Sequence, residues 1–149
     1  QKFLDATMPR AVILTGGQDL GVSQRRDITE RHLIQYAIRQ KIPLLGICRG
    51  MQVITSYFGG TLKKVKGHVK TRHSLSGEIA AEVNSYHNFS IDQCPPDFRI
   101  IATSPDGEIE AIRNDQLGWE GWMWHPEREN IFDKIQIFRA RALLSGSIE

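Results

Sequence analysis

Only two cysteines, Cys48 and Cys94, occur in the 149 residues of this chain. Two thiols cannot build the disulfide framework of a small secreted domain, so a reducing, cytoplasmic setting is expected. An excess of one charge is missing too: 19 basic residues stand against 17 acidic ones, a net charge of +2. That balance leaves no electrostatic footprint for nucleic acid. No apolar run approaches the ~20 residues that a membrane-spanning helix needs. No basic segment followed by an apolar one opens the chain as a secretory leader would. Repeats, low-complexity tracts and linker-like stretches are absent, so residues 1–149 read as one domain. The chain opens on Gln1 rather than Met, as a fragment or trimmed chain would. What remains is ordinary for a globular domain with a substantial core, 40% apolar and 24% charged.

The apolar run Ala11-Val-Ile-Leu-Thr15, ended by Gly16-Gly17, predicts a buried strand leading into a loop. Asp27-Ile-Thr-Glu30 has the form of a capping box, with Ile34, Ala37 and Ile38 at helical spacing behind it. Leu44 to Ile47 predicts a second buried strand. Met51, Ile54 and Phe58 mark one face of the next helix, and Gly59-Gly60 stops it. Further on, strands are expected at Ile79 to Val83, Arg99 to Ser104, Ile109 to Arg113 and Trp119 to Trp124, with a hairpin turn at Asp106-Gly107. A final helix carries Ile131, Ile135, Phe138 and Ala142 on one stripe. This order predicts a three-layer αβα sandwich of the flavodoxin-like kind. Its central sheet is expected to be mostly parallel, with antiparallel edge strands.

The chemistry concentrates at Cys48. It lies between a strand and a helix, flanked by Gly46 and Gly50, at the head of a sharp turn. The helix behind it aims its N-terminal amides at the sulfur, which favours the thiolate. Far downstream, His125-Pro126-Glu127 offers an imidazole with a carboxylate two residues on. Cys48 as nucleophile, His125 as general base then acid, and Glu127 as orienter suffice for acyl transfer. His125 follows Trp122-Met-Trp124, at the C-terminal end of a predicted strand, where open α/β sheets place their sites. Donors for the oxyanion are the backbone N–H of Arg49, next to the nucleophile, and of Gly17 in the Gly-Gly loop. Gln52, one turn into the helix, can reach back over Cys48 with its amide.

Other features have plainer readings. Cys94-Pro-Pro is a loop thiol. His68 and His73 are conceivable metal ligands with His87 and Glu127, but their spacing fits no zinc pattern, so surface or supporting roles are expected and no metal or cofactor is assigned. Lys63, Lys64, Lys66, Lys70 and Arg72 form a basic stretch, either a solvated face or a contact for an anionic or phosphorylated leaving group. Arg25-Arg26-Asp27 starts a helix, with Asp19, Arg26 and Glu30 as possible braces of the Gly-Gly loop. Trp119, Trp122 and Trp124 are core residues beside the catalytic edge.

Gly46-Ile-Cys-Arg-Gly-Met-Gln52 resembles the Gly-x-Cys-x-Gly-x-Gln motif of class I glutamine amidotransferases. Thr15-Gly-Gly-Gln-Asp19, Gly59-Gly-Thr-Leu62, Val83-Asn-Ser-Tyr-His87 and His125-Pro-Glu127 fall in the family's order. Arg49 after the nucleophile, with Asn-Ser-Tyr-His downstream, resembles the γ-glutamyl hydrolase branch (peptidase C26). The resemblance implies hydrolysis of a γ-glutamyl amide through a thioester. It also implies that Ser85 and Tyr86 lie near the glutamyl carboxylate, that Gln52 contacts the glutamyl moiety, and that His87 lies close by. The implied partner is a small γ-glutamyl substrate, without nucleic acid or membrane; a homodimer is left open. The rival is a glutaminase subunit passing ammonia to a synthase. A third reading is a non-catalytic regulator that binds a γ-glutamyl metabolite, against which the intact triad argues. Family members begin with another strand and helix, and here only Gln1 to Arg10 precede the first motif, so a first strand is expected to be missing. The motif continues with Asn88-Phe89 where the family has His-Gln, and the stretch from His73 to Glu82 is short.

Overall fold

The computed structural model describes residues 2–146. Three short parallel strands organise the site: β1 (Val12–Leu14), β2 (Leu44–Ile47) and β10 (Trp119–Trp122). β2 lies in the middle, pairing Leu14 with Gly46 on one side and Ile47 with Trp122 on the other. All three strands therefore end at the same edge of the sheet. β2 and β10 are buried along their whole length, so their side chains alternate between two apolar layers.

One layer belongs to α2 (Gln24–Gln40) and α3 (Arg49–Tyr57), where Leu14, Ile34, Ala37, Leu44, Ile54 and Trp119 pack together. The other belongs to α4 (Lys134–Leu144), where Leu45, Ile47, Trp122, Trp124 and Leu143 pack. This is the expected three-layer mixed α/β fold. Beyond β10 the sheet turns antiparallel through β9 (Ile109–Asn114), which pairs β8 (Arg99–Thr103) and touches β7 (Phe89–Gln93). β7 pairs β3 (Thr61–Lys64), and β8 pairs the two-residue β5 (Ser76–Gly77). The antiparallel part is larger than the sequence suggested, and parallel pairing is confined to β1, β2 and β10 among the described residues. A separate antiparallel ribbon joins β4 (Val69–Ser74) to β6 (Glu82–Tyr86).

Several boundaries and faces differ from expectation. α1 (Lys2–Thr7) precedes β1, where no helix was expected. α2 starts at Gln24 after Ser23, a turn before the supposed capping box, because Asp27 and Glu30 are drawn inward to Arg49. The strand expected over Ile79 to Val83 begins at Glu82 instead. On α4 the stripe is turned outward: Ile135 is 78% and Phe138 74% exposed, while Gln136 and Leu143 face the core. Trp124 is the cause, since its Nε1 donates to Gln136 Oε1 at 2.9 Å and fixes the helix's rotation. The basic stretch lies mostly at the surface of β3 and β4, with Lys63 beside Glu108 and Arg72 beside Glu129.

Candidate active site

Cys48 occupies the single residue between β2 and α3 with φ 49° and ψ −103°. A non-glycine residue held there stores about 1–3 kcal/mol of strain, which the surroundings must hold in place. Its N–H donates to Trp122 O at 2.7 Å, and its carbonyl accepts from Gln52 N at 3.1 Å. The helix can sit so close only because side chains are missing. A Cβ on Gly50 would come within 2.1 Å of Leu14 O, and one on Gly46 within 2.6 Å of the Gly50 backbone. The thiol is buried, and this burial pushes it up to about 11; the Arg49 backbone N–H bonded to it pulls the other way and is outweighed. The amide at the helix N-terminus favours the thiolate as expected, but removal from water costs the anion more than that one amide returns.

His125 stands past the end of β10, and Pro126–Arg128 forms a single 3₁₀ turn behind it. Glu127 Oε1 lies 2.6 Å from His125 Nδ1. The carboxylate accepts at Nδ1, which leaves Nε2 as the basic nitrogen. Burial lowers the His125 pKa below its ordinary value, with Glu127 opposing. Asn84, on β6, clamps the same residue: Oδ1 accepts from His125 N at 2.9 Å, and Nδ2 donates to His125 O at 2.8 Å and to Glu129 Oε1 at 2.8 Å. No role was assigned to Asn84 from the sequence. Its buried position inside the quoted Asn-Ser-Tyr-His motif is the signal that could have found it.

The Gly16-Gly17 loop leaves β1 at the same edge. A Cβ on Gly16 would lie 2.4 Å from His125 Cε1, so the loop abuts the Cε1 edge of the imidazole, between its two nitrogens. Arg26 Nη2 donates to Thr15 O at 3.0 Å and Gly16 O at 2.9 Å, and Arg26 Nε donates to Glu30 Oε1 at 2.9 Å. Arg26 and Glu30 thus brace the loop as suggested. Three adjacent parallel strands deliver a thiol, a His–Glu pair and a Gly-rich loop to one edge.

The class I glutamine amidotransferase model matches residues 2–142. The chain belongs to the class I glutamine amidotransferase family. It is 37% identical over 136 residues to the gamma-glutamyl-CDP-amidate hydrolase of Campylobacter jejuni, covering 87% of this chain and 68% of that protein. It is 32% identical over 140 residues to one subunit of the glutamine-hydrolyzing GMP synthase of Methanothrix thermoacetophila, covering 83% and 74%. Among solved structures, a glutamine amidotransferase from Thermotoga maritima superposes with a TM-score of 0.71 at 19% identity, covering 94% of this chain and 66% of the other. Of some further curated relatives the chain spans only about half the length.

The positions that the family resemblance singled out are only partly brought together. Tyr86 stands edge-on to the His125 ring at 5.9 Å, with the Arg128 guanidinium 4.7 Å from its centroid. Gln52 is close below Cys48, but its amide N donates to Phe89 O at 3.1 Å rather than turning back over the sulfur. Ser85 is fully buried, and its hydroxyl donates to His68 O at 2.9 Å. The Arg49 side chain is buried in an ion pair with Glu30 and Asp27. His87 is buried with His68 against Glu110, not Glu127; of the surface and supporting roles expected for His68, this removes the surface one. His68, His73 and Glu110 bring potential ligand atoms within 4.8 Å of one another. Cys94 keeps the loop role expected of it, with Sγ 3.5 Å from Phe98 O. Among the described residues no helix is long and apolar enough to cross a membrane.

Proposed function

We propose that this chain hydrolyses a γ-glutamyl amide through a γ-glutamyl thioester, releasing glutamate and an amine or amide. The observation that carries the reading is Cys48 at φ 49° on the strand edge shared with the His125–Glu127 pair. In this mechanism His125 Nε2 takes the thiol proton as sulfur attacks the γ-carbonyl carbon. The oxygen gathers charge between the N–H groups of Arg49 and Gly17. Collapse breaks the C–N bond, and His125 returns the proton to the leaving nitrogen. A water, deprotonated by His125, then attacks the thioester; the C–S bond breaks, glutamate leaves, and the proton returns to sulfur. Glu127 holds the ring in the one tautomer that can act at each step.

For the leaving group we favour a phosphate-bearing amine. The similarity to the Campylobacter jejuni hydrolase supports this. So do Arg128, packed over the Tyr86 ring, and the basic residues of β3 and β4. The second reading, a glutaminase subunit, draws on the similarity to the GMP synthase of Methanothrix thermoacetophila.

The test is glutamate release by the purified chain from a γ-glutamyl nucleotide amidate, γ-glutamyl-GABA, a γ-glutamyl polyamine and glutamine, with Cys48→Ser beside it. The nucleotide amidate should give the highest kcat/KM, and Cys48→Ser should release almost nothing. Glutamine as the best substrate would favour the glutaminase reading. Unimpaired Cys48→Ser would end the thiol mechanism.

A further inference from the structure

A second polar cluster lies apart from the His125–Glu127 pair and takes no part in the mechanism above. His68 precedes β4, His73 lies on it, His87 follows β6, and Glu110 sits on β9. Glu110 is 0% exposed, yet neither of its carboxylate oxygens has a hydrogen-bond partner, and neither has His73 Nε2. A buried carboxylate left this way is costly unless a cation compensates it.

The far side of two rings fixes where their lone pairs point. His68 Nε2 is 2.9 Å from Asp106 Oδ2, a carboxylate that only accepts, so that nitrogen carries the hydrogen. His87 Nδ1 is 3.0 Å from the Phe89 carbonyl and carries its hydrogen for the same reason. The inward atoms, His68 Nδ1 and His87 Nε2, therefore present lone pairs to each other at 3.2 Å. Each is also 3.4 Å from Glu110 Oε1, and His73 Nε2 is 3.3 Å from the same oxygen. Lone pairs and a carboxylate facing one another repel, so a positive charge belongs between them.

A shared proton is the simpler candidate. A proton on the 3.2 Å contact between His68 Nδ1 and His87 Nε2 can serve those two rings, but these nitrogens and His73 Nε2 stand 3.3–3.4 Å from Glu110 Oε1, longer than the ~2.7–2.9 Å of charge-assisted N–H···O bonds, and that carboxylate is left unpartnered. Ligands around a tetrahedral zinc at about 2.0–2.1 Å stand roughly 3.3–3.4 Å apart. The spacing is that of metal ligands. Rings whose outer N–H is held by a carboxylate and by a backbone carbonyl are also what metal-bound histidines present.

We propose that His68, His73 and Glu110 bind a divalent transition-metal ion, with zinc the ion that two imidazoles and a carboxylate suit best, and with His87 beside them. Three protein ligands hold the ion, and a fourth position is left on the side of His87. The ion ties the β4–β6 ribbon to β9 of the main sheet, and β6 carries the Asn84 that clamps His125.

Metal content is measured by elemental analysis on the full chain and on Cys48→Ser, which removes the thiol as a competing ligand. Both should retain about one equivalent of zinc. Stripping with a chelator should lower Tm, and zinc should restore it. Cobalt in place of zinc should give the strong visible absorption of a four-coordinate site. Asp106→Asn, which weakens the support of His68, should reduce zinc affinity about 10–100-fold, and His73→Ala should reduce it further. Three results would each overturn the proposal: no zinc uptake by the stripped chain at micromolar free zinc, loss of the metal in Cys48→Ser, or unchanged affinity in His73→Ala.

Discussion

At Cys48 two physical demands compete. The turn sets Cys48 at the strand edge where a substrate would arrive, but the same turn seats its sulfur among Leu45, Ile47 and Trp122, where an anion is poorly solvated. Burial wins, and the thiol rests near 11. Burial likewise lowers His125. Both shifts favour the uncharged forms, so the nucleophile forms as the proton moves during attack. The groups acting on the sulfur are the Arg49 N–H and Arg128, which favour the anion, and Glu127 and Glu110, which oppose it. The consequence is a pH dependence of definite sign. Thiolate is the alkylated form, so its fraction, and the rate of inactivation by iodoacetamide, should climb steadily from about pH 7 to pH 10. A rate already level between about pH 6 and pH 8 would reveal a preformed thiolate–imidazolium pair and overturn that order of events.

Between elements, α3 meets α2 through a buried polar contact as well as an apolar one. Arg49 is 2% exposed and reaches Glu30 and Asp27, whose own helix also supplies Arg26 to the Gly-Gly loop. Two guanidiniums, Arg49 and Arg26, therefore meet on Glu30 and link the turn at Cys48 to the loop at Gly16. Breaking a buried ion pair from one side strands the other charge, at a cost of about 3–5 kcal/mol. Here Glu30 keeps Arg26 and Asp27 is partly exposed, so Arg49→Met should lower folding stability by less, about 1–3 kcal/mol, read from the urea midpoint, while the double variant with Glu30→Gln should recover part of it. An unchanged midpoint for Arg49→Met would show that the pair adds nothing. The sequence made these acidic residues resemble a capping box, because a capping motif and a receptor for a distant arginine are written with the same letters. β2, by contrast, was legible, since a strand buried on both faces reads as an unbroken apolar run, and so was β1, which carries the same apolar letters although Ile13 is exposed. β3, β4 and β7 were not. Their exposed positions carry Lys, Arg, Asp and Gln, and only tertiary pairing makes strands of them.

At the scale of the whole molecule, the parallel edge was readable because its chemistry is tied to local turns, each spelled by adjacent residues. Of the histidine cluster, His68, His73 and His87 were grouped from the sequence, but with Glu127; Glu110 was missed, because it comes from a strand that no spacing rule connects to His68 or His87. The same large-scale arrangement bears on whether the chain acts alone. Arg26 holds the carbonyls of Thr15 and Gly16 at 3.0 and 2.9 Å. In a trans peptide the N–H of Gly17 points opposite to the Gly16 carbonyl, hence away from Arg26. The loop is thus fixed in one orientation by groups within the chain, and the Arg49 N–H is fixed by α3. Oxyanion donors set in place beforehand need no activating partner. Purified chain should therefore release glutamate from its γ-glutamyl substrate at a rate that an added synthase leaves unchanged. Arg26→Met, which frees the loop carbonyls, should lower kcat by about 10²-fold with little change in KM. A basal rate near zero that rises by orders of magnitude with a synthase would mean that the loop is completed from outside, and the glutaminase-subunit reading would take over.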